Sequence, residues 1–248
     1  MKSLFFTLCL ACGSLTGAAQ VQLSVQGGFE IPDLTGNTSY HCILGYRVGA
    51  HLDLPITKRW ALRTGAQVVR KKWKTDERLV SIKTEDRITT IREANFRANL
   101  TATYLQIPLK MVATFLIDKV IEAKVNAGLY AAYGIDGAER KRGAGAIGVE
   151  DNAPDGPGDS FDTYAWNSGP FKTFRPDNYR SFDVGLSVGA DLYFKSFYFG
   201  GGIDFGLIPV QTIPKDWHQY LLEYDPTMVK AHNFSIEFHA GLRFKLGR

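Results

Sequence analysis

From residue 234 onward, apolar and polar side chains alternate without a break. Phe234, Ile236, Phe238, Ala240, Leu242, Phe244 and Leu246 take every second position, and Ser235, Glu237, His239, Gly241, Arg243 and Lys245 fill the places between. A two-residue period sets one group on each face of a β-strand. The pattern recurs upstream. Phe197, Phe199, Ile203, Phe205 and Leu207 share a face against Tyr198 and Asp204. Phe182 to Phe194 alternates against Asp183, Ser187 and Asp191, and Ile121 to Ala131 against Glu122, Lys124, Asn126 and Tyr130. Leu105, Ile107, Leu109 and Met111 oppose Tyr104, Gln106 and Lys110. Trp60, Leu62, Ala66 and Val68 oppose Arg63 and Gln67. Leu44 to Leu54 opposes Arg47, His51 and Asp53, and Val21, Leu23, Val25 and Phe29 oppose Gln22, Ser24 and Gln26. The pattern predicts eight strands.

The connections divide into two kinds. Those at Pro55 to Arg59, Leu116 to Val120 and Lys195 to Ser196 are tight; those at Ile31 to Cys42, Lys74 to Ala98, Ile135 to Ser181 and Pro209 to Asn233 are long. The two kinds alternate strictly, as in outer-membrane barrels with short periplasmic turns and long external loops. With that topology, Trp60, Phe115, Phe194, Phe197 and Phe244 fall at one rim. Phe29, Tyr133, Phe182, Phe205 and Phe234 fall at the other. Two outward aromatic girdles suit the two lipid–water boundaries. The predicted fold is all-β: an eight-stranded antiparallel transmembrane barrel with long extracellular loops.

The start of the chain changes the picture of where the barrel lives. Lys2 precedes an apolar run from Leu4 to Leu15, then Gly17, Ala18 and Ala19. This reads as a signal peptide over residues 1–20, leaving 21–248 as the barrel domain. Cys9 and Cys12 lie in the signal and Cys42 stands alone after it, so no disulfide framework is expected. Cys9 occupies the place where a lipobox carries Leu, which argues against lipidation at Cys12. After the signal, no apolar run reaches the ~18 residues of a membrane helix. A net charge of +4, dispersed along the chain, gives no footprint for nucleic acid.

The inward faces carry both signs of charge. Arg47, Arg63, Lys110, Lys124, Arg243 and Lys245 stand against Asp53, Glu122, Asp183, Asp191, Asp204 and Glu237, equal in number, with His239 among them. Buried charges need partners, and a balanced set predicts a filled barrel in place of a channel. His239 with Asp183 or Asp191 and Ser187 forms the one constellation resembling a catalytic triad, without a nucleophile elbow. The histidines are scattered and no metal-ligand spacing occurs, so no catalytic residue, metal or cofactor is assigned.

The long connections hold the remaining candidates. The stretch from Ile135 to Ser181 shows no regular patterning. It carries Arg140, Lys141, Arg142 and Gly143, then an acidic run in which Asp151, Asp155, Gly156, Asp159 and Asp162 form part of a calcium-loop pattern. Ala153 breaks that pattern at its third position, and an exposed Pro/Gly/Asp loop is the preferred reading. Trp166, Phe171, Phe174 and Tyr179 either fold onto the barrel mouth or offer contacts to a partner. Trp217, Tyr220 and Tyr224 share one face of a short predicted helix and are candidate contacts too. The composition of Lys74 to Ala98 predicts strands that continue beyond the membrane.

Several strands also carry a family resemblance. Tyr104-Leu105-Gln106-Ile107-Pro108-Leu109-Lys110 resembles the corresponding strand of PorT-like outer-membrane barrels, with Gln106 in place of their usual Glu. Phe182-Asp183-Val184-Gly185-Leu186 with Gly189-Ala190, Asn126-Ala127-Gly128-Leu129-Tyr130, and Gly241-Leu242-Arg243-Phe244 are similar to further strands of that family. The resemblance implies an eight-stranded barrel in a Bacteroidota-type outer membrane. The sequence as a whole supports a non-enzymatic barrel anchoring external loops for structural or recognition roles. The alternative, from the resemblance, is an accessory component of a secretion or envelope-assembly machine, and a membrane-embedded hydrolase resting on His239 ranks behind both. The expected partners are outer-membrane lipid and, through the loops, envelope or secretion proteins.

Overall fold

Alternation becomes architecture when every strand finds two neighbours. The computed structural model describes residues 20–35, 40–85, 88–151, 160–167, 169–174, 179–210 and 231–246. Its strands are β1 (Val21–Thr35), β2 (Tyr40–Pro55), β3 (Trp60–Glu85), β4 (Ile88–Leu116), β5 (Ile121–Asp151), β6 (Ser160–Asn167), β7 (Phe171–Lys172), β8 (Phe182–Phe194), β9 (Phe197–Pro209) and β10 (His232–Leu246). In the order β1-β2-β3-β4-β5-β8-β9-β10, each pairs antiparallel with the next. Strand β10 then returns to β1, from Val21 opposite Leu246 to Thr35 opposite His232. This is the closed eight-stranded antiparallel barrel that the period-2 pattern predicts.

Local chemistry sets the tight turns. At the β2–β3 turn, Ile56 N and Thr57 N donate to Trp60 O at 2.8 and 3.0 Å. Thr57 Oγ1 accepts from the backbone N–H of Trp60 at 3.1 Å. At the β8–β9 turn, Lys195 adopts φ 55°, the left-handed conformation of a two-residue hairpin.

The outward face is an apolar belt. On β8 it carries Phe182, Leu186, Val188 and Phe194 at 50, 47, 54 and 38% exposure, while Asp183, Ser187, Asp191 and Tyr193 on the other face are buried. A strand of that length, at ~3.4 Å per residue and tilted ~40°, spans roughly 30 Å, the thickness of a hydrocarbon core. Trp60, Phe115, Phe197 and Phe244 ring one end of the belt, and Phe29, Tyr133, Phe182 and Phe205 the other, all exposed.

On one side the barrel wall continues past the belt. Strands β3 and β4 stay paired out to Glu85 opposite Ile88, so the long connection from Lys74 to Ala98 is a hairpin extension, as its composition predicts. The stretch from Ile135 corrects the expectation of an unpatterned loop: β5 pairs with β4 as far as Asp151 opposite Ile88. Strand β6 folds back along β5 from Arg142–Asn167 to Val149–Ser160, and β7 pairs with it at Ala138–Lys172 and Glu139–Phe171. Above the belt neither face of the sheet meets hydrocarbon, so pairing persists while the hydrophobic period that marks a strand is lost. The register shifts where barrel meets extension, between Thr103 and Tyr104, with Ile135 the extra residue on β5. Such a bulge changes which residues point outward: Tyr133 before it, Arg140 and Arg142 after it. Residues 1–19 of the expected signal peptide, the acidic residues Asp155 and Asp159, and Trp217, Tyr220 and Tyr224 of the expected helix lie outside the described residues.

A charge in the belt tests this topology. Val188→Arg, at the middle of β8, is expected to destabilise the barrel by about 2–4 kcal/mol in urea titrations of protein folded into lipid vesicles. Asn99→Arg, exposed on the extension, is expected to change stability by no more than about 0.5 kcal/mol.

Candidate functional site

An eight-stranded barrel leaves an interior about as wide as its own side chains. Polar positions on all eight strands therefore meet across the lumen, whatever their distance in sequence. Two guanidinium groups organise them. Arg47 on β2 donates to Glu30 through Nε at 3.0 Å, to Gln67 through NH1 at 2.8 Å and to Asp204 through NH2 at 2.6 Å. Glu237 lies 2.6 Å from NH1 as an ion pair. Asp204 also accepts from Gln106 Nε2 at 3.0 Å and from the Ser187 hydroxyl. Lys110 sits within charge–charge range of Glu237 and Asp204.

Arg63 on β3 anchors the second cluster. Its Nε and NH2 donate to the two Asp53 oxygens at 2.7 and 3.1 Å, its NH1 to Asp191 at 2.6 Å and its NH2 to the Tyr193 hydroxyl at 3.1 Å. Lys124 reaches Asp53 at 2.7 Å and Gln22 at 2.8 Å, and His239 Nε2 lies 2.9 Å from Asp191. Arg243 bonds Glu122 and donates to the Lys195 carbonyl at 2.6 Å. Both Lys124 and Arg243 rest on the Tyr193 ring, 4.7 and 4.6 Å from its centroid.

Above the Arg47 cluster, towards the extension, the lining turns apolar. Leu34, Trp73, Leu100, Tyr104, Tyr130, Tyr179 and Val210 form a buried cluster with Phe174 packed against it. Residues 173–174 and 179–181, between β7 and β8, lie over this cluster. Thr173 N donates to Gly137 O at 3.2 Å, Gly134 N to Ser181 O at 2.6 Å, and Arg180 N to Val210 O at 2.8 Å. The Phe174 ring meets Tyr104 edge-on, with centroids 5.2 Å apart. It lies directly on Gly134, where a Cβ would come within 2.3 Å of the ring. At the opposite, tight-turn end the lumen opens into a vestibule of about 1200 Å³ lined by Gln22, Asp53, Trp60, Glu122, Lys124 and Lys245.

The structure thus brings Arg47, Asp53, Arg63, Lys110, Glu122, Lys124, Asp191, Asp204, Glu237, His239 and Arg243 into one connected interior. Asp183 stands apart from the two guanidiniums, accepting from the Tyr130 hydroxyl at 3.0 Å and Asn233 Nδ2 at 2.8 Å. Lys245, on the polar face in sequence, is exposed at the vestibule. Glu30 and Lys71, which lie 3.9 Å apart, were missed because the sequence pattern ends β1 at Phe29 and β3 near Val68. The alternation reaches Glu30 one residue past Phe29, and Lys71 three residues past Val68, beyond inward Val69. The triad-like constellation is not assembled: Ser187 donates to Asp204, and His239 faces Asp191. Among the described residues no group of three or more His, Cys, Asp or Glu is placed to hold a metal ion. Phe174 and Tyr179 belong to the seal and are not presented to a partner, whereas Phe171 is 42% exposed. The Trp166 side chain, like Trp217, Tyr220 and Tyr224, lies outside the described residues.

The ionic interior makes a stability prediction. Arg47→Ala leaves Glu30, Asp204 and Glu237 buried without their shared cation, and is expected to cost about 3–5 kcal/mol in equilibrium unfolding from vesicles. Lys58→Ala on an exposed turn is expected to change stability by no more than about 0.5 kcal/mol.

Comparison with known proteins adds the family. The chain resembles the attachment invasion locus protein Ail of Yersinia pestis, with 9% identity, 91% of this chain and 100% of that one covered, and a TM-score of 0.35. It resembles neisserial surface protein A with 11% identity, 92% and 99% coverage and a TM-score of 0.36. For the N-terminal barrel domain of Pseudomonas aeruginosa OprF the values are 10%, 91% and 97%, and 0.29. No curated protein matches the chain in sequence. The family model described as "Outer membrane protein beta-barrel domain" matches residues 11–211. With its closed barrel and apolar outer belt, the chain belongs to the outer-membrane β-barrel protein family, and its setting is a Gram-negative outer membrane.

Proposed function

We propose that this protein is a non-conducting, non-enzymatic outer-membrane barrel that holds the sheet extension formed by β3 to β6 outside the cell for structural or recognition purposes. The observation that carries this reading is the closure of the lumen at two levels, the ionic interior and the aromatic seal, directly beneath a sheet that continues past the belt. A closed interior argues for the barrel as an anchor and not a conduit. The tight turns then face the periplasm and the extension faces outward, as in other barrels of this construction. The export signal and the Bacteroidota-type setting belong to the same reading.

Two measurements test it. Purified protein in planar bilayers is expected to give no discrete conductance steps; steady open channels would overturn the anchor reading. Cys42 is an exposed free thiol on β2 beyond the belt. It is expected to react with a membrane-impermeant maleimide on intact cells, with Cys42→Ser as the blank. Labelling seen only after the outer membrane is broken would reverse the orientation.

A second reading, an accessory role in a PorT-like secretion or envelope-assembly machine, is favoured by the open vestibule at the tight-turn end. That vestibule would face periplasmic partners. Extraction of the tagged protein in mild detergent distinguishes the two: a lone monomer supports the anchor, and a stable larger assembly supports the machine.

A further inference from the structure

The outward column of β3 carries Trp60, Leu62, Thr64, Ala66 and Val68, uncharged throughout and apolar but for Thr64, and then changes character at one step. The next three positions on the same face are Arg70, Lys72 and Lys74. Odd-numbered neighbours from Ala61 to Trp73 point into the barrel and are buried, apart from half-buried Gly65. The cations therefore continue the lipid-facing column with no change of face.

Register carries the same change across two more strands. Lys74 pairs with Asn99 on β4, and Asn99 with Arg140 on β5. One row further out, Asp76 pairs with Arg97 and Arg97 with Arg142. Directly paired residues share a face of a sheet, and adjacent strands lie ~4.8 Å apart. Lys74 and Arg140 are thus about 10 Å from each other across one strand. Lys74, Arg97, Arg140 and Arg142 are exposed, and Arg70 and Lys72 half-buried. Two acids lie in the patch: Asp76 bonds Arg97 at 3.1 Å and lies 4.0 Å from Lys74, and exposed Asp136 stands in the row of Arg70, across Thr103. Arg140 and Arg142 have no ion pair among the described residues. The outward columns of β8 and β9 end instead in Phe182 and in Leu207 with Pro209, and that of β10 runs through Phe234 to His232, which stacks on Phe205.

We propose that the outward face of β3–β5, immediately beyond the aromatic girdle, is a binding site for the phosphates of an anionic glycolipid in the surrounding outer leaflet. The argument is one of place and charge. A ligand for this patch must lie flush with the lipid-facing wall below it, so its acyl chains occupy the belt at Val68, Leu105 and Tyr133. Its phosphates then stand level with Arg70, Lys72, Lys74 and Arg140. Cations at a membrane surface attract anionic headgroups, and guanidiniums match phosphate oxygens in paired hydrogen bonds. The proposal rests on the outward orientation of the extension, which Cys42 labelling reads separately; a failed orientation and a failed phosphate site therefore give different signatures.

The test is direct binding to the folded barrel in a neutral maltoside detergent, followed by native mass spectrometry. The probes are bisphosphorylated lipid A, the same lipid after removal of its phosphates, and soluble glucosamine 1-phosphate. Bisphosphorylated lipid A is expected to bind wild type, and the dephosphorylated lipid about tenfold or more weaker, at an ionic cost comparable to two surface cations. The triple variant Lys74→Gln, Arg140→Gln, Arg142→Gln is expected to lose about a hundredfold in affinity, near fivefold for each cation. The pair Lys58→Gln, Lys119→Gln at the tight-turn end should bind as wild type does. Heat-modifiable gel mobility confirms that each variant is folded. Equal binding of the dephosphorylated lipid, competition by glucosamine 1-phosphate as effective as that of the lipid, or a folded triple variant within about twofold of wild type would each overturn the proposal.

Discussion

Hydrocarbon offers a backbone amide no alternative partner, and this single constraint organises the molecule. Each unpaired N–H or C=O in the belt would cost several kcal/mol, so a spanning sheet must close on itself. Two pairings distant in sequence meet that demand: strand β10 returns to β1 along the full length of both, and β8 pairs with β5 across the long connection between them. Once closed, the wall has an inside and an outside, and the period-2 alternation of each strand acquires its meaning.

Closure also forces the interior chemistry. The inward positions are polar, yet the lumen is too narrow to be a water-filled channel. The charges must satisfy one another, and multivalent groups do so with least geometry: Arg47 and Arg63 each bind carboxylates from more than one strand. Small residues make room for them. A Cβ at Gly200 would lie 2.4 Å from an Asp191 oxygen and 2.8 Å from His239 Nε2. The glycine-rich stretch on β9 is thus the space into which the Asp191–His239 contact projects. Breaking one guanidinium exposes several uncompensated charges at once, which is why the interior behaves as a unit.

The same wall serves two environments. Within the belt its outer face must be apolar; beyond it the same columns are free to carry charge. On β3 the change falls between Val68 and Arg70, and on β5 the bulge at Ile135 delivers Arg140 and Arg142 to the outward side. Pairing of β3 with β4 crosses this boundary in register, and pairing of β4 with β5 crosses it through the bulge at Ile135. Beneath it, the Tyr104–Phe174 contact and the buried Tyr179 cover the mouth, leaving the polar vestibule as the open end of the lumen.

Much of this was legible in the chain itself. Lipid on one face and a polar lumen on the other impose a strict alternation, so the barrel strands, their outward aromatics and the inward charges could be read from residue order alone. The pattern failed where the physical pressure behind it stops. Strand β5 beyond Ile135 is rich in glycine and alanine, faces no hydrocarbon, and is held by hydrogen bonds to β4 and β6 that leave no trace in hydrophobicity. The sequence could say that Arg47, Asp204 and Glu237 point inward. It could not say that they meet, because β2, β9 and β10 become neighbours across the lumen only after closure. Nor could it decide between a mouth-covering and a partner-facing Phe174, since that depends on Gly134 lying open beneath the ring. Side-chain facing is a local property with a two-residue period; which facing residues touch is a property of the closed barrel.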